Sequence, residues 1–263
     1  MFAPERKKKI KEIVLENKQI EVSQLSKMLG VSDVTIRRDL EKLESEHFLT
    51  RTYGGAFLTE SEDSPLPYYT KEDNEESEIY EEIGDSASYL VEDSSSVIIG
   101  PGKIGVYIAR HLAMKKNLRV ITTDLNIIEE LTSNSTGNTR IVFIGGDIDP
   151  LTRQASGPIS TMVLSNLNVD ISFVEMDGVV LDKGYYTDSY DKATVINQVM
   201  QISKETVAVC AHPRFDQTSF FFLGHMDSFK KVLSSAAIPN PYKKYFFDNG
   251  IKLYTSLDFL KKV

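Results

Sequence analysis

The 263-residue sequence has one cysteine, four histidines and no long apolar run. The single cysteine excludes an intrachain disulfide. Because Cys210 lies within the apolar run from Val207 to Ala211, we predict a buried structural thiol rather than a nucleophile. No segment is apolar enough to cross a membrane, and the lysine-rich beginning lacks the apolar core of a secretory signal. We therefore expect a cytoplasmic protein without membrane contact.

The chain is also short of positive charge, with 30 Lys and Arg against 38 Asp and Glu, a balance that by itself disfavours nucleic-acid binding. The excess of acid is local, however. Residues 1–58 hold 11 basic against 9 acidic side chains, residues 59–93 hold 1 against 13, and residues 94–263 hold 18 against 16. The acidic segment begins as a polar, Pro-containing linker. Its negative charge fits either a solvated helix face or a segment that repels DNA phosphates and so keeps the rest of the chain away from them.

The first 58 residues carry the pattern of a helix-turn-helix followed by a β-hairpin. Helical spacing of apolar residues predicts a first helix over Pro4–Asn17, with basic residues at its start, and a second helix over Glu21–Leu29. The buried face of the second helix is predicted to hold Val22, Leu25, Met28 and Leu29. Gly30 then ends this helix, and a third helix begins three residues later. The alternation over Phe48–Phe57 predicts a small hairpin, which would be the wing.

The third helix has the features of a DNA recognition helix. Ser32 is a preferred N-cap, and Ile36, Leu40 and Leu43 recur at spacings that place them on one buried face. Polar side chains on the other faces would then reach base edges and phosphates in the major groove. An ordinary amphipathic surface helix is the alternative. The predicted DNA contacts in the three elements are Ser23, Ser32, Asp33, Thr35, Arg37, Arg38, Lys42, Arg51 and Tyr53.

From Ser94 onward, strand-like and helical segments alternate, which is typical of a largely parallel sheet covered on both faces. The predicted strands are 96–99, 118–122, 140–144, 171–176 and 206–211, and the predicted helices are 104–112, 125–131 and 193–202. Ligands bind at the carboxyl ends of the strands in such sheets. The fold class predicted for the whole chain is therefore α/β, with a helical DNA-binding domain N-terminal to the α/β domain.

Three strand ends carry glycines or hydroxyls suited to a ligand. The turn Gly100–Gly105 enters a helix, where free N–H groups and Lys103 can hold a phosphate or carboxylate, although such glycines also occur for steric reasons alone. The segment Thr122–Asn126 offers hydroxyls at a helix entry, where helix capping is an equal explanation. The pair Gly145–Gly146 lets the backbone approach either a ligand or a neighbouring strand.

Residues 4–57 resemble the winged helix-turn-helix of the DeoR family of bacterial transcriptional regulators. Val31–Leu40 reproduces the family pattern Val-Ser-x-x-Thr-Ile-Arg-Arg-Asp-Leu, and Gly54–Ala56 reproduces the Gly-Gly-Ala that follows it. The second domain resembles the C-terminal sensor domain of that family, so the resemblance extends to about residue 235. It implies a sensor fold similar to ribose-phosphate isomerases and CoA transferases, and an effector that is a phosphorylated sugar.

The sensor loops depart from the family pattern. The usual Asp-Ser-Gly-Thr-Thr is Gly100–Ile104 here; a Gly-Pro-Gly version is similar to that of lactose-phosphotransferase repressors, which keep the Thr pair. The family's Thr-Asn is Thr122-Thr123, its Asp-x-x-Lys-Phe is Ala211–Phe215, and its Glu-Ala with a downstream Lys is Lys192-Ala193 with Asn197. These changes remove two carboxylates and leave three cations, which suits an anion. A drifted sensor with an unusual or lost ligand is the alternative.

No catalytic constellation accompanies these loops. The histidines have no metal spacing and no evident nucleophile partner, so we predict no enzyme activity, no cofactor and no metal. His212 lies in the late pocket loop, and Asp177 follows a predicted strand, although a turn-forming Asp-Gly explains Asp177 equally well. The predicted effector contacts are Gly100, Gly102, Lys103, Ile104, Thr122, Thr123, Gly145, Gly146, Asp177, Lys192, His212 and Arg214.

The sequence therefore predicts a winged helix-turn-helix domain at residues 1–58, an acidic linker at 59–78 and an effector-sensing α/β domain at 79–263. We expect a regulator, most simply a repressor of carbohydrate uptake or catabolism genes. It would bind a double-stranded DNA operator as a homodimer or homotetramer, and an anionic effector, a sugar phosphate, would control it through the linker. Two alternatives are a sugar-phosphate enzyme with an accessory DNA-binding head, and a DNA-binding regulator whose sensor serves only for assembly.

Overall fold

The computed structural model describes residues 6–7, 9–11, 13–14, 19–45, 49–51, 55–58, 75–135 and 138–259. The chain divides into two compact units, residues 1–65 and 66–263. Each unit has hydrophobic core residues of its own. Among the helices of the described ranges, none combines the length and the apolar character that a membrane span requires.

The N-terminal unit combines helices with a small antiparallel sheet. Its described elements are β1 (Gln19–Glu21), α1 (Val22–Leu29), α2 (Asp33–Ser45), β2 (Leu49–Arg51) and β3 (Gly55–Leu58). Residues 6–7, 9–11 and 13–14 are also helical, as the predicted first helix requires. Strands β2 and β3 confirm the predicted hairpin, and β1 pairs with the other edge of β3. The sequence did not predict β1, since three residues are too few to show alternation.

The core of this unit explains the path of the chain between its helices. Gly30 has a φ of +65°, the left-handed conformation that ends α1 and allows α2 to begin. Ile36, Leu40 and Leu43 are at most 1% exposed, which confirms the predicted buried face of α2. The prediction that Met28 is buried is wrong, because this side chain is 62% exposed. Its neighbours Val22, Leu25 and Leu29 centre the apolar stripe about a quarter turn away from it.

The second unit is built on a parallel sheet. Its strands are β4 (Ser96–Ile99), β5 (Arg119–Thr122), β6 (Arg140–Phe143), β7 (Asp147–Asp149), β8 (Gln154–Ser156), β9 (Val169–Glu175), β10 (Gly178–Val180), β11 (Gly184–Thr187), β12 (Ser203–Cys210), β13 (Phe221–Gly224), β14 (Lys231–Ser234) and β15 (Lys252–Tyr254). Within the described part of the chain, seven of them form one sheet in the order β15-β14-β12-β9-β4-β5-β6. Every pair of neighbours in it is parallel, so the predicted parallel sheet is confirmed.

Short antiparallel strands form separate small sheets beside the parallel sheet. Strands β7 and β8 form a hairpin, and β10, β11 and β13 form a separate antiparallel sheet. None of these strands was predicted. Each has only three or four residues, against seven in β9 and eight in β12.

Helices cover both faces of the parallel sheet. They are α3 (Glu75–Ser88), α4 (Lys103–Leu112), α5 (Leu125–Asn134), α6 (Gly157–Leu164), α7 (Tyr190–Ile202), α8 (Asn240–Asp248) and α9 (Ser256–Phe259), with 3-10 turns at His212–Arg214 and Met226–Ser228. Apolar residues of α3, α4 and α5 share one core cluster, and those of α6, α7 and α8 share the other. Helix α3 begins at Glu75, inside the range predicted as linker. Cys210 is fully buried, as predicted, and burial raises the pKa of its thiol.

Candidate functional site

The exposed surface of α2 is the candidate DNA interface. The N-terminus of the helix is held by Ser32, whose Oγ lies 3.4 Å from the N–H of Thr35 and 3.0 Å from the hydroxyl of Thr35. Thr35 is partly exposed. The predicted DNA contacts that are exposed on or before this helix are Ser32, Asp33, Arg37, Arg38 and Lys42. Polar and cationic side chains at the start of an exposed helix can meet base edges and phosphates together.

A buried ion pair fixes α2 from its inner side. Asp39 is 5% exposed, and its carboxylate accepts hydrogen bonds from Arg6 Nε at 2.5 Å and Nη2 at 3.3 Å. The hydrogen bonds with Asp39 raise the pKa of Arg6. Arg6, which the sequence places in a basic helix end, therefore pairs with the inner side of α2.

For two of the three other predicted DNA contacts, the structure gives only the element in which the residue lies. Ser23 lies in α1 and Arg51 lies in β2. Tyr53 lies outside the described residues. Their contacts with DNA remain predictions.

A cavity of about 420 Å³ lies in the second unit. Its walls come from the β4–α4 turn, the hairpin β7–β8, the end of β9, the start of α7 and the loop after β12. The lining residues are Tyr80, Pro101, Gly102, Lys103, Asp149, Thr152, Gln154, Ala155, Ser156, Glu175, Asp177, Asp188, Ser189, Asp191, Lys192, Val195, Arg214 and Ser219. The cavity thus collects the carboxyl ends of β4, β9 and β12, where a ligand of a parallel sheet is expected.

The Gly-rich turn before α4 is shaped around protein atoms. A Cβ at Gly100 would lie 2.9 Å from the Phe173 carbonyl oxygen, and a Cβ at Gly102 would overlap the Glu175 carboxylate. Gly102 has a φ of +148°, which also favours glycine. Glu175 Oε2 accepts a hydrogen bond of 2.7 Å from the N–H of Ile104 in the first turn of α4. The steric explanation for the glycines therefore applies at both positions.

A buried ion pair forms the floor of the cavity. Lys192 Nζ donates to both carboxylate oxygens of Asp177, at 2.9 and 2.8 Å, and the hydroxyl of Thr187 donates to Asp177 at 2.8 Å. Burial alone would raise the pKa of Asp177, but Lys192 and the hydrogen bonds outweigh burial and lower it. Burial of the Glu175 carboxyl raises its pKa to about 7, and the positive charge of Lys192 opposes this rise.

Arg214 lies at another wall of the cavity and is held by α3. Its Nη2 lies 3.5 Å from Glu76 Oε1, and the Tyr80 hydroxyl donates to Glu76 Oε2 at 3.0 Å. Because the side chain of Arg214 is 43% exposed, it can still meet a ligand. The first two turns of α3 therefore belong to the site.

Comparison with known proteins identifies the family. The profile of the DeoR C terminal sensor domain matches residues 75–236, and that of the DeoR-like helix-turn-helix domain matches residues 6–62. The chain belongs to the DeoR family. It is 26% identical over 254 residues to an HTH-type transcriptional regulator of Haemophilus influenzae, covering 97% of this chain and 98% of that protein.

Two further relatives of this DeoR-family chain have more specific names. The transcriptional repressor AccR of Agrobacterium fabrum is 25% identical over 250 residues, covering 92% of this chain and 96% of AccR. The lactose phosphotransferase system repressor of Streptococcus mutans is 26% identical over 233 residues, covering 86% of this chain and 90% of the repressor.

Solved structures show a weaker likeness. Ribose 5-phosphate isomerase A of Methanocaldococcus jannaschii is 15% identical with a TM-score of 0.39, covering 53% of this chain and 54% of the isomerase. The eIF2B delta subunit of Chaetomium thermophilum is 13% identical with a TM-score of 0.43, covering 59% of this chain and 55% of the subunit. Similarity at this level is too low to indicate a function for the DeoR-family chain.

The structure brings some of the predicted effector contacts of this DeoR-family sensor together and not others. Gly102, Lys103, Asp177, Lys192 and Arg214 line the cavity. The predicted contacts outside the lining are Gly100, Ile104, Thr122, Thr123, Gly145, Gly146 and His212.

The residues outside the lining have structural roles that explain their identity. Ile104 is 2% exposed in the core beneath α4. The hydroxyl of Thr122 accepts from the N–H of Asp124 at 3.1 Å, and Asp124 caps α5 by accepting from the N–H of Asn126 at 2.8 Å. Helix capping, one of the two explanations for this segment, is therefore present. The hydroxyl of Thr123 is buried and has no hydrogen-bond partner among the described residues.

The glycine pair and His212 are likewise engaged within the protein. A Cβ at Gly146 would overlap Ser160 and the Ser156 carbonyl, so this glycine allows the start of α6 to approach. Gly145 accepts a hydrogen bond of 3.0 Å from the Ser160 hydroxyl. His212 Nδ1 lies 2.9 Å from the Ser235 hydroxyl.

Sequence reasoning missed most of the acidic residues of the site. Among the described lining residues, five carboxylates face three cations, so the lining is not the predominantly cationic surface that the sequence predicts. The carboxylates are Asp149, Glu175, Asp177, Asp188 and Asp191. A signal for Glu175 was available, since this residue lies between the apolar Phe173–Val174 and Met176, and a charged side chain among apolar ones needs a reason. The described residues contain no group of three or more His, Cys, Asp or Glu side chains arranged to hold a metal ion.

Proposed function

We propose that this DeoR-family chain is a transcriptional repressor of carbohydrate uptake or catabolism genes, and that a small sugar-derived effector bound in the cavity controls its DNA binding. The observation that carries the proposal is the cavity of about 420 Å³ at the strand ends of a chain that also exposes the cationic side of α2. Cavities of roughly 300–1,000 Å³ accommodate small ligands. The names of the relatives AccR and the lactose phosphotransferase system repressor support repression.

For DNA binding, we propose that α2 enters the major groove with Arg37 and Arg38 at base edges or phosphates. The burial of Ile36, Leu40 and Asp39 on the opposite side supports this orientation. Arg recognises guanine edges and phosphates well because its planar guanidinium donates two parallel hydrogen bonds.

For the effector, the sequence predicts a phosphorylated sugar, and this stays a prediction. Lys103 and Arg214 in the lining support recognition of a polar or anionic ligand. Carboxylates such as Asp188 and Asp191 support recognition of hydroxyl groups, which donate hydrogen bonds to them.

We also propose that the chain associates as a homodimer or homotetramer through α6. This helix contains no charged residue, and Ile159 and Met162 on it are 58% and 63% exposed. Nearby Leu151, between β7 and β8, is 75% exposed. An exposed apolar surface without charge suits a second copy of itself. Met162→Lys should shift the sedimentation coefficient to that of a smaller species, whereas an unchanged oligomer would place the interface elsewhere.

The regulatory proposal is tested with the full chain. DNA bound from a randomised duplex pool is selected and sequenced, and its affinity is then measured by fluorescence anisotropy with and without a panel of sugars, polyols and their phosphate esters. We expect selected sites with repeated half-sites, and at least one panel compound that changes the affinity. Turnover of a panel compound without any effect on DNA binding would favour an enzyme instead. If nothing changes the affinity or the melting temperature, the cavity is not an effector site.

A further inference from the structure

Glu175 occupies the place where α4 would otherwise bind an anion. The carboxylate at the end of β9 accepts the 2.7 Å hydrogen bond from the N–H of Ile104, the second residue of this ten-residue helix. Gly102, at the N-cap position, supplies no side-chain cap. Unpaired N–H groups and the helix dipole favour negative charge at this end, and here the protein provides that charge itself.

The neighbouring N–H group is also taken by a carboxylate. Gly102 N donates to Asp124 Oδ2 at 3.3 Å. Because Gly102 has no Cβ, the Glu175 carboxylate fits directly against the turn. Two backbone donors that could hold phosphate oxygens therefore already have acidic partners within the chain.

Two of the three cations in the lining already have carboxylate partners within the chain. Lys192 is 7% exposed and forms an ion pair with Asp177. Arg214 forms an ion pair with Glu76 at 3.5 Å. Above pH 7, where the Glu175 carboxyl is largely ionised, a phosphate placed at the N-terminus of α4 would meet its negative charge at close range. A hydroxyl group placed there would instead donate a hydrogen bond to the carboxylate.

We infer that Glu175 is a specificity-determining residue, which makes the cavity select an unphosphorylated, polyhydroxylated ligand over the phosphate ester of the same molecule. The inference rests on the proposed function, which places the effector in this cavity. It narrows the effector from sugar derivatives in general to free sugars and polyols.

The first experiment uses inorganic sulfate as the probe, because sulfate keeps its charge between pH 5.5 and pH 8.5. Full-length wild type, Glu175→Ser and Glu175→Gln are compared by thermal shift and by calorimetric titration at pH 8. The Ser variant opens the space and removes the charge, whereas the Gln variant removes the charge and keeps the shape. Asp248→Asn is the control for the loss of a carboxylate in general, since Asp248 is exposed on α8 and lies outside the cavity lining.

We expect sulfate to bind Glu175→Ser at least about tenfold more tightly than wild type, which is the effect of removing one like charge at close range. Asp248→Asn should bind sulfate as weakly as wild type. Equal sulfate binding by wild type and both Glu175 variants would overturn the inference. Should the Ser variant fail to fold, tighter binding by the Gln variant still supports the inference, and wild-type behaviour of the Gln variant overturns it.

The second experiment compares matched pairs of sugars and their phosphate esters on wild type, with operator affinity as the readout. We expect the unphosphorylated member of any active pair to act at a concentration at least about tenfold lower. Greater potency of the phosphate ester would overturn the inference and leave the proposed function intact. If no sugar or phosphate ester changes operator affinity, the proposed control by a ligand is contradicted. The sulfate result then tests only whether Glu175 keeps anions out of the cavity.

Discussion

The Glu175 carboxyl should make the stability of the second unit depend on pH, and Glu175→Gln should remove that dependence. The carboxyl, whose ordinary pKa is 4.5, titrates at about 7 in the folded protein. The folded state therefore holds this proton more tightly than the unfolded state, so stability is lost as the pH rises from about 4.5 to 7. A difference of this size corresponds to at most about 3 kcal/mol.

The charged and titratable groups around Glu175 come from four elements. Lys192 belongs to α7, Asp177 follows β9, Arg214 follows β12 and Tyr80 belongs to α3, while Cys210 in β12 also senses the carboxylate. Subtracting the variant from wild type removes the contribution of all groups that titrate equally in both proteins. The Gln side chain can still accept the hydrogen bond from the N–H of Ile104, so the comparison isolates the charge.

Scanning calorimetry of the full chain at several pH values between 5 and 8.5 measures the effect. For a unit of this size, about 3 kcal/mol corresponds to roughly 6–10 °C in the melting temperature. We expect wild type and Glu175→Gln to melt at similar temperatures near pH 5, and the variant to melt higher above pH 7.5. Asp191→Asn is the control and should run parallel to wild type. Parallel curves for Glu175→Gln would refute the assignment of a raised pKa to this carboxyl.

Three further predictions concern the DNA-binding surface and the two cores. Replacing Arg37 and Arg38 by Ala should weaken operator binding and lower the slope of log Kd against log salt by up to about 2, measured by fluorescence anisotropy. Leu40→Ala should destabilise the N-terminal unit by about 2–5 kcal/mol in urea unfolding, because Leu40 is 1% exposed in its core. Lys192→Met should cost up to about 3 kcal/mol, because it leaves the partly buried Asp177 without its cation. The cost should be larger at pH 8 than at pH 5, because at pH 5 the nearby Glu175 carboxyl, whose pKa is about 7, carries a proton.

Matched variants separate these effects from general damage. Lys244→Ala removes an exposed cation from the second unit and should leave operator binding unchanged. Val34→Ala truncates a side chain of α2 that is 64% exposed and should change stability little. Lys204→Met breaks an exposed pair with Asp170 and should cost less than about 1 kcal/mol. Unchanged DNA binding after loss of both arginines would show that α2 is not the reading helix.

Local patterns in the sequence were sufficient for the elements that are long or buried on one face. The spacing of Ile36, Leu40 and Leu43 predicted α2 and its buried face, and the predicted strands 171–176 and 206–211 correspond to β9 and β12. Short strands such as β1 and β10 carry too few residues for a period to show. Strands β14 and β15 were also missed, because the predicted alternation of strands and helices ended at residue 211.

Cavity residues that directly follow predicted strands were predicted. Contacts between residues that are far apart in the sequence were missed. Gly102, Lys103 and Asp177 follow predicted strands directly, and they line the cavity. Glu76 reaches Arg214 across 138 positions, and Arg6 reaches Asp39 across 33. No pattern of spacing reveals such pairs, because only the folded arrangement of helices and strands creates them.

The complete burial of the only cysteine gives the chain a chemical advantage for measurement. Maleimides and spin labels react with exposed thiolates, and the Cys210 thiol is both covered and held in its protonated form. A cysteine introduced at an exposed position such as Lys244 or Val34 will therefore be the site that labels, without removal of the native residue. Pairs of such labels can report the distance between recognition helices in an assembled regulator and how that distance responds to an effector.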